Sequence, residues 1–308
     1  MPKVLAVLLL ALAPFVSAFA DVGAFIATVK NARVIDLSHT WDKFSPIASV
    51  NPPYSFALAA THENTLCTFG DNCQLSFTSE VMHFSGQHGA PSIDAIGHIG
   101  REGKLFGGVD AVASTSNPDG IGASGVGANL AIDKFPQDLL VNRGVLLDVA
   151  TMVQGDSSPL PADFEITARH LEQAAKRQGI ELKPGDTVFI RTGWGPLFKS
   201  SPATYAGSAS PGPGLDAAEF LIKQGARVVG DDTLTFEKRP PIAKVKGQTQ
   251  VFPVHMRLIP DAGIYIIENL NLEELAAAKA YEFAVVVPPL KIFGGTGSAV
   301  RIFALVPR

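Results

Sequence analysis

Hydrophobic and polar positions follow a regular order along the second half of the chain. Short apolar runs bounded by turn residues are typical of buried strands, and apolar residues recurring every three or four positions are typical of helices. Such runs predict strands over residues 144–149, 187–192, 227–230, 263–268, 281–287 and 299–306. Between them, helices are predicted over residues 168–178, 215–224 and 272–279. Strands that alternate with helices predict a mixed α/β fold in one domain.

The first half contains fewer regular elements. Residues 34–39 predict a short strand that runs into a loop, and the alternation over residues 74–84 predicts a half-buried strand. Cys67 and Cys73 flank the turn sequence Thr-Phe-Gly-Asp-Asn. The spacing suits a disulfide across that turn, or alternatively two free thiols, and an oxidising compartment favours the disulfide.

The first twenty residues have the organisation of a secretory signal. Lys3 gives a positive start, residues 4–16 are apolar, and Ala18-Phe-Ala20 offers small residues where a signal peptidase cleaves. Cleavage after Ala20 leaves a domain over residues 21–308 and predicts a secreted or periplasmic protein. The alternative is a membrane anchor, but the apolar run is short for a spanning helix. We therefore expect no stable membrane insertion after cleavage.

Composition narrows the range of functions. Of the 308 residues, 46% are hydrophobic and 18% are charged, which is typical of a globular protein with a substantial core. The formal net charge is −4 and no basic cluster is present. The sequence therefore argues against nucleic acid as a partner.

The segment over residues 83–98 carries most of the candidate chemistry. It holds three of the seven histidines, His83, His88 and His98, together with Asp94. Imidazole and carboxylate groups suit a divalent cation such as Zn²⁺ or Mn²⁺. His88 and Asp94 are the natural ligands, and His98 is close enough in sequence to act as a general acid or base instead. If the chain were extended here, His88, Ser92, Asp94 and His98 would share one face.

Two residues far along the chain could complete this site. His255 follows a proline in Phe-Pro-Val-His, and Glu268 ends an otherwise apolar strand. A carboxylate at the end of a buried strand is costly unless it is paired or binds a metal. A salt bridge to a nearby Lys or Arg is the alternative for Glu268.

At this point the chain resembles the cyclase-type metal-dependent hydrolases, which include bacterial kynurenine formamidase and isatin hydrolase. The hallmark of that family, His-x-Gly-Thr-His-x-Asp-x-x-x-His, falls without gaps on residues 88–98. Further similarity follows in the family's order over residues 143–148, 183–186, 190–195, 213–215, 229–233, 252–255, 267–272 and 295–298. The isatin-hydrolase-like branch is the most similar.

The resemblance implies a swivelling β/β/α fold, a homodimer or homotetramer, and hydrolysis of an amide-type C–N bond in a small substrate. It maps a first metal site onto His88, Ser92 and Asp94. In members with two metal ions, Asp94 would bridge to a second ion held by His255 and Glu268. The catalytic histidine of the family maps onto His98.

One departure from the hallmark leaves alternatives open. Ser92 stands where the family has a histidine ligand, and a neutral hydroxyl binds zinc poorly compared with imidazole. His83 or Gln87 could replace the missing ligand, the ion could be held mainly by Asp94, His255 and Glu268, or the protein could be an exported binding protein without catalysis. Ser92 itself lacks the strand–turn–helix setting of a nucleophilic serine. Aromatic side chains that could line a pocket or belong to the core are Phe106, Trp194, Phe198 and Tyr205.

Overall fold

A curled mixed sheet dominates the structure. The computed structural model describes residues 22–52, 54–87, 89–116, 125–127 and 129–308, so the predicted signal peptide over residues 1–20 and His88 lie outside the described residues. Among the described residues, nine strands form the main sheet, in the order Arg33–Asp36 (β1), Phe303–Val306 (β15), Glu282–Val286 (β13), Val141–Asp148 (β5), Thr187–Arg191 (β7), Val228–Asp231 (β9), Tyr265–Glu268 (β12), Ser92–Asp94 (β4) and Gly297–Ala299 (β14). The neighbours β5, β7, β9 and β12 run parallel, and the flanking strands pair antiparallel.

The strands are β1 Arg33–Asp36, β2 Ser55–Ala60, β3 Ser79–His83, β4 Ser92–Asp94, β5 Val141–Asp148, β6 Glu165–Ile166, β7 Thr187–Arg191, β8 Gly212–Pro213, β9 Val228–Asp231, β10 Ile242–Val245, β11 Gln248–Val251, β12 Tyr265–Glu268, β13 Glu282–Val286, β14 Gly297–Ala299 and β15 Phe303–Val306. The α-helices are α1 Val22–Asn31, α2 His62–Thr65, α3 Ala111–Thr115, α4 Val149–Gln154, α5 Ala168–Gln178, α6 Leu197–Ser200, α7 Pro202–Tyr205, α8 Leu215–Lys223, α9 Pro253–Leu258 and α10 Glu273–Ala277. None of these helices is both long and apolar enough to cross a bilayer.

The curl of the sheet follows from how the chain closes. β14 forms one edge of the sheet, whereas β15 is second from the opposite edge. A flat sheet would separate these two strands by about 34 Å. Only residues 300–302 connect them, and that stretch spans at most about 14 Å. The sheet must therefore curl until its two ends approach each other.

Apolar residues cover both faces of the central strands. Val145 and Leu147 of β5 point into one core with Leu171 of α5. Leu146, between them, belongs to a second core on the other face, together with Phe189. Alternate side chains of a strand point to opposite faces, so a strand buried on both sides is apolar throughout. This explains why the central strands could be recognised from unbroken apolar runs.

The predicted α/β single domain is confirmed, and several element boundaries match closely. Helix α5 spans Ala168–Gln178 as predicted and ends at Gly179, whose φ of 68° lies in the left-handed region. The predicted strand over residues 299–306 is instead interrupted between β14 and β15, because the chain crosses there from one end of the sheet to the other.

The expectation for residues 74–84 was only partly right. A strand forms at Ser79–His83, but it is exposed on both faces rather than half-buried. It pairs antiparallel with Ser55–Ala60 in a separate two-stranded ribbon. Because neither face of that ribbon packs on the core, the alternation of side chains has no buried side. Within the same excursion, a disulfide joins Cys67 and Cys73.

Candidate metal centre

The pairing of two strands brings the first acidic side chains together. In the antiparallel register of β12 and β4, Asp94 lies opposite Ile266 and Ser92 lies opposite Glu268. Residues that face each other across a sheet, and residues two apart in a strand, point to the same side. Ser92, Asp94 and Glu268 therefore share one face, at the carboxyl end of β12.

A short helix adds the imidazole to this group. Helix α9 begins with Pro253 at its first turn and packs on the same face of the sheet, with Val254 in the core. His255 Nε2 lies 3.3 Å from Glu268 Oε1 and 3.8 Å from Asp94 Oδ2. One donor atom from each of the three residues falls within 4.8 Å of the others. Asp94 and His255 are buried, with relative exposures of 3% and 4%.

Glu237, which no sequence motif predicts, fixes the imidazole of His255 from the side opposite Asp94 and Glu268. His255 Nδ1–H donates to Glu237 Oε1 at 2.5 Å, and the backbone N–H groups of Val254 and His255 donate to the same carboxylate. This arrangement leaves Nε2 directed at Asp94 and Glu268. A carboxylate behind a histidine is a recurrent way of orienting a metal ligand. Glu237 follows Thr-Phe in an unremarkable loop, so its sequence context carries no signal.

Burial, hydrogen bonds and neighbouring charges shift the pKa of two of these groups. Burial raises the pKa of Glu268 to about 7, the nearby Asp94 carboxylate adds to the shift, and the hydrogen bond with His255 opposes it. Burial alone would lower the pKa of His255, but the hydrogen bonds with Glu237 and Glu268 outweigh it and raise that pKa well above its usual value. A proton on His255 Nε2 occupies the position that a metal ion would take, so proton and ion compete for the site.

The donor set fits a divalent cation. Two carboxylates and one imidazole nitrogen converge on a small buried volume, and Glu237 adds a third carboxylate behind them. No Lys or Arg of the described residues forms an ion pair with Asp94, Glu237 or Glu268. Buried carboxylates that have no Lys or Arg partner are neutralised by protons or by a metal ion.

His98 lies at the border of this cluster. After β4 the chain turns, with His98 N–H donating to Ala95 O, and His98 Nε2 comes to 3.8 Å from Asp94 Oδ1. The His98 side chain is 28% exposed, so it has access to solvent. On the other side of the ring, Nδ1 lies 3.2 Å from the Gln87 amide.

The other candidate ligands are placed differently. His83 is exposed at the end of β3, opposite Ser55, outside the cluster. Ser92 is buried in β4 on the face of Asp94 and Glu268. His88 lies outside the described residues. The structure thus brings together Asp94, His255 and Glu268, with His98 beside them and Ser92 on the same face.

The aromatic candidates divide between core and surface. Trp194, Phe198 and Tyr205 are buried together in one cluster, and Phe106 is 38% exposed. A different aromatic residue, Trp41, packs against Tyr54 and Phe84, with ring centroids 4.4 and 5.4 Å apart.

A cleft opens beside the segment that leads to Asp94. Its volume is ≈ 510 Å³, and its lining includes His39, Trp41, Ala90 and Pro91. None of the cluster residues Asp94, His255 and Glu268 lines it. A backbone hydrogen bond links the cleft to the strand that carries Asp94. His39 N–H donates to Ala90 O at 2.7 Å, and Ala90 lies two residues before Ser92, the first residue of β4.

Known proteins with a similar sequence or fold show which family this chain belongs to. A family model described as putative cyclase matches residues 35–238, a stretch that contains Asp94 and His98 but ends before His255. The chain therefore belongs to the cyclase family.

Particular relatives agree with this assignment. Isatin hydrolase from Roseibium aggregatum is 30% identical over 185 residues, which cover 57% of this chain and 65% of the relative, slightly under two thirds of its length. A crystal structure described as a novel cyclase has a TM-score of 0.74 at 26% identity, with 91% of each chain covered. A predicted metal-dependent hydrolase from Bacillus stearothermophilus shares the fold, with a TM-score of 0.53 at 19% identity over 88% of this chain and 97% of its own.

Proposed function

We propose that the protein is a metal-dependent hydrolase that cleaves an amide-type C–N bond in a small substrate. The observation that carries the proposal is the buried cluster of Asp94, His255 and Glu268, with His98 beside it. The isatin hydrolase relative, a cyclic-amide enzyme by name, supports the reaction class. Arylformamides, isatin-like lactams and related small cyclic amides are the substrates we expect.

Each residue of the site has a defined task in this reaction. Asp94, His255 and Glu268 would hold the cation, which we expect to be Mn²⁺ or Zn²⁺, and Glu237 keeps His255 Nε2 directed at the space between Asp94 and Glu268. A cation bound there supplies Lewis acidity and makes a water molecule more acidic. His98 Nε2 takes the proton of the attacking water and passes it to the leaving nitrogen. Because its side chain is 28% exposed, His98 can also exchange protons with solvent.

The place of the substrate is the cleft beside residues 90–91. Its volume of ≈ 510 Å³ accommodates a small aromatic molecule, and Trp41 offers a ring surface for stacking. Because Asp94, His255 and Glu268 do not line the cleft, the reactive carbonyl of the bound substrate must extend past Ala90 toward Asp94.

The test combines metal reconstitution with one substitution. Chelator-treated protein is reloaded with Mn²⁺ or Zn²⁺ and assayed on isatin, an arylformamide and a small lactam. We expect hydrolysis only after reloading, and His98→Ala should lower kcat by about 10²–10⁴-fold with metal content unchanged. His62→Ala is the matched control, since His62 is exposed in α2 and contacts Ser76. Full activity of the chelated protein, or of His98→Ala, would refute the mechanism.

A second candidate function rests on Ser92. A serine at this position removes an imidazole from the family's first metal site, so the protein could be an exported binding protein that keeps the fold without the chemistry. Less than one metal ion per several chains, with no hydrolysis of the three substrate types, would favour this reading over the hydrolase.

We also propose export and self-association. The signal-like residues 1–20 and the Cys67–Cys73 disulfide support a secreted or periplasmic location. The family resemblance supports a homodimer or homotetramer. Cell fractionation and light scattering of the purified mature protein test these two points.

A further inference from the structure

Gln87 contacts the side of His98 that faces away from the metal cluster. Its amide lies 3.2 Å from His98 Nδ1 and 3.2 Å from Thr296 Oγ1. The opposite ring nitrogen, Nε2, faces Asp94 Oδ1 at 3.8 Å. The two nitrogens of an imidazole point in different directions, so the Gln87 amide lies behind the ring. An amide engaged there is not directed at the position between Asp94, His255 and Glu268.

Close backbone packing holds Gln87 in this position. Gly86 lies so near Gly297 that a Cβ on Gly86 would come within 2.6 Å of Gly297 O. A Cβ on Gly297 would in turn come within 2.7 Å of the Gln87 amide. The glycine pair therefore lets the loop before β4 pack directly on the start of β14, next to Thr296.

The orientation of the amide decides which nitrogen of His98 carries the proton. As placed, Gln87 Nε2 donates to Nδ1, and the neutral ring then has its proton on Nε2. A 180° turn of the amide puts Oε1 at the same position, where it accepts from both Nδ1–H and the Thr296 hydroxyl. Only the second arrangement leaves Nε2 free to accept a proton.

We infer that Gln87 is a positioning residue that holds His98 as the Nδ1–H tautomer through its Oε1, with the Thr296 hydroxyl fixing the amide. The inference rests on the proposed function, because it explains how His98 Nε2 acts as a base. When Nε2 takes a proton from water, the ring becomes an imidazolium with N–H at both nitrogens. Oε1 accepts the Nδ1–H before and after that transfer, so the amide need not turn during the reaction.

The direct test is the tautomer of His98. Protein with ¹⁵N-labelled histidine rings, loaded with diamagnetic Zn²⁺, is examined by multiple-bond ¹H–¹⁵N correlation, and His98→Ala assigns the signals. We expect the Nδ1–H tautomer in the wild type and in Gln87→Glu, whose carboxylate also accepts from Nδ1–H. Gln87→Met should lose this preference, and its kcat should fall by about 10–100-fold with KM changed less than about twofold. Zinc content should stay the same in all variants.

Further variants separate positioning from a general loss of structure. Gln173→Met on the exposed face of α5 is the matched control and should alter nothing. Thr296→Val should shift the tautomer less than Gln87→Met does. An Nε2–H tautomer in the wild type would overturn the inference, and so would loss of zinc from Gln87→Met without a tautomer change, since that would make Gln87 a ligand. If the wild type hydrolysed none of the substrates, the proposed function would fail, while the tautomer would still decide the role of Gln87.

Discussion

Two buried clusters of charge lie at the carboxyl ends of parallel strands, and they are built on opposite principles. Asp148 ends β5 and Arg191 ends β7, directly beside it in the register. Glu268 ends β12, where it meets Asp94 and His255. In the first cluster, the Arg191 guanidinium balances the carboxylates of Asp148 and Glu273. In the second, the Asp94 cluster, carboxylates surround a single imidazole.

In the first cluster, called the Arg191 cluster, the guanidinium finds its hydrogen-bond partners within the protein. The guanidinium donates to Glu273 Oε1 and Oε2 at 2.8 Å each, to Asp148 Oδ1 at 3.0 Å and to Ser157 O at 3.0 Å. Arg191 is only 1% exposed. Every direction of the planar donor group is used, as a buried charge requires. Such a network ties α4 and α10 to the sheet and has no position left for a ligand.

In the part of the chain that the structure describes, no Lys or Arg pairs with the carboxylates of the Asp94 cluster. Arg239 is close enough to attract Glu268, but its guanidinium donates to Ala206 O at 3.4 Å instead. The surplus of carboxylates makes this cluster a place for a cation from solution. Charge balance, rather than burial, therefore separates a structural cluster from a candidate functional site.

The largest effect on stability is expected from removing the guanidinium of the Arg191 cluster. Arg191→Met leaves Asp148 and Glu273 without their cation and should lower the free energy of unfolding by about 3–5 kcal/mol. Urea denaturation in the presence of a chelator measures this without a contribution from metal. Arg257→Met, which breaks the exposed pair with Glu219, should cost no more than about 1 kcal/mol. Equal losses in the two variants would contradict the structural role of Arg191.

A partly buried histidine outside both clusters shows the opposite pKa shift. His39 stacks on Phe198 with ring centroids 4.3 Å apart, and burial, aided by Lys199, lowers its pKa to about 4 against the opposing hydrogen bond to Leu270. His255, held by carboxylates, shifts in the other direction. Between pH 6.5 and 4 the unfolded chain binds a proton at His39 and the folded protein does not. The free energy of unfolding should therefore fall as the pH drops through this window, by up to about 3 kcal/mol.

Comparison with His39→Asn isolates this contribution, because all other groups titrate in both proteins. The difference in unfolding free energy between wild type and variant should change with pH only inside that window. Parallel curves from pH 7 to pH 4 would show that His39 titrates equally in both states.

A smaller effect is expected from Asp94→Asn, and its sign depends on the metal ion. Without metal, removing one carboxylate from a surplus should leave stability unchanged or raise it. With Mn²⁺ at a hundred times its Kd, the wild type should gain about 2.7 kcal/mol that the variant does not gain. Thermal unfolding with chelator and with Mn²⁺ measures both. If Asp94→Asn weakened the metal-free protein as much as Arg191→Met, the two clusters would not differ in kind.

Much of the fold could be predicted because its elements carry local signals. Helix α5 has its cap at Thr167 and its stop at Gly179, and the central strands are continuous apolar runs. The exposed ribbon was misjudged because alternation along a strand does not say whether either face meets a core. The segment near Asp94 and His98 was recognised from composition and from the family hallmark.

Within the site, the sequence defines the chemistry of the side chains, and the tertiary structure defines their positions. The amino-acid sequence shows which side chains can bind a metal ion or transfer a proton, since residue type fixes that chemistry. Asp94 and Glu268 share a face because of the strand register, which exists only in the folded sheet. The positions of Glu237 behind His255 and of Gln87 behind His98 depend in the same way on how the loops pack. Asp94 and Glu268 are far apart in the chain, whereas the other two pairs are separated by only 18 and 11 residues. In all three pairs the contact depends on distances that the folded sheet and its loops establish.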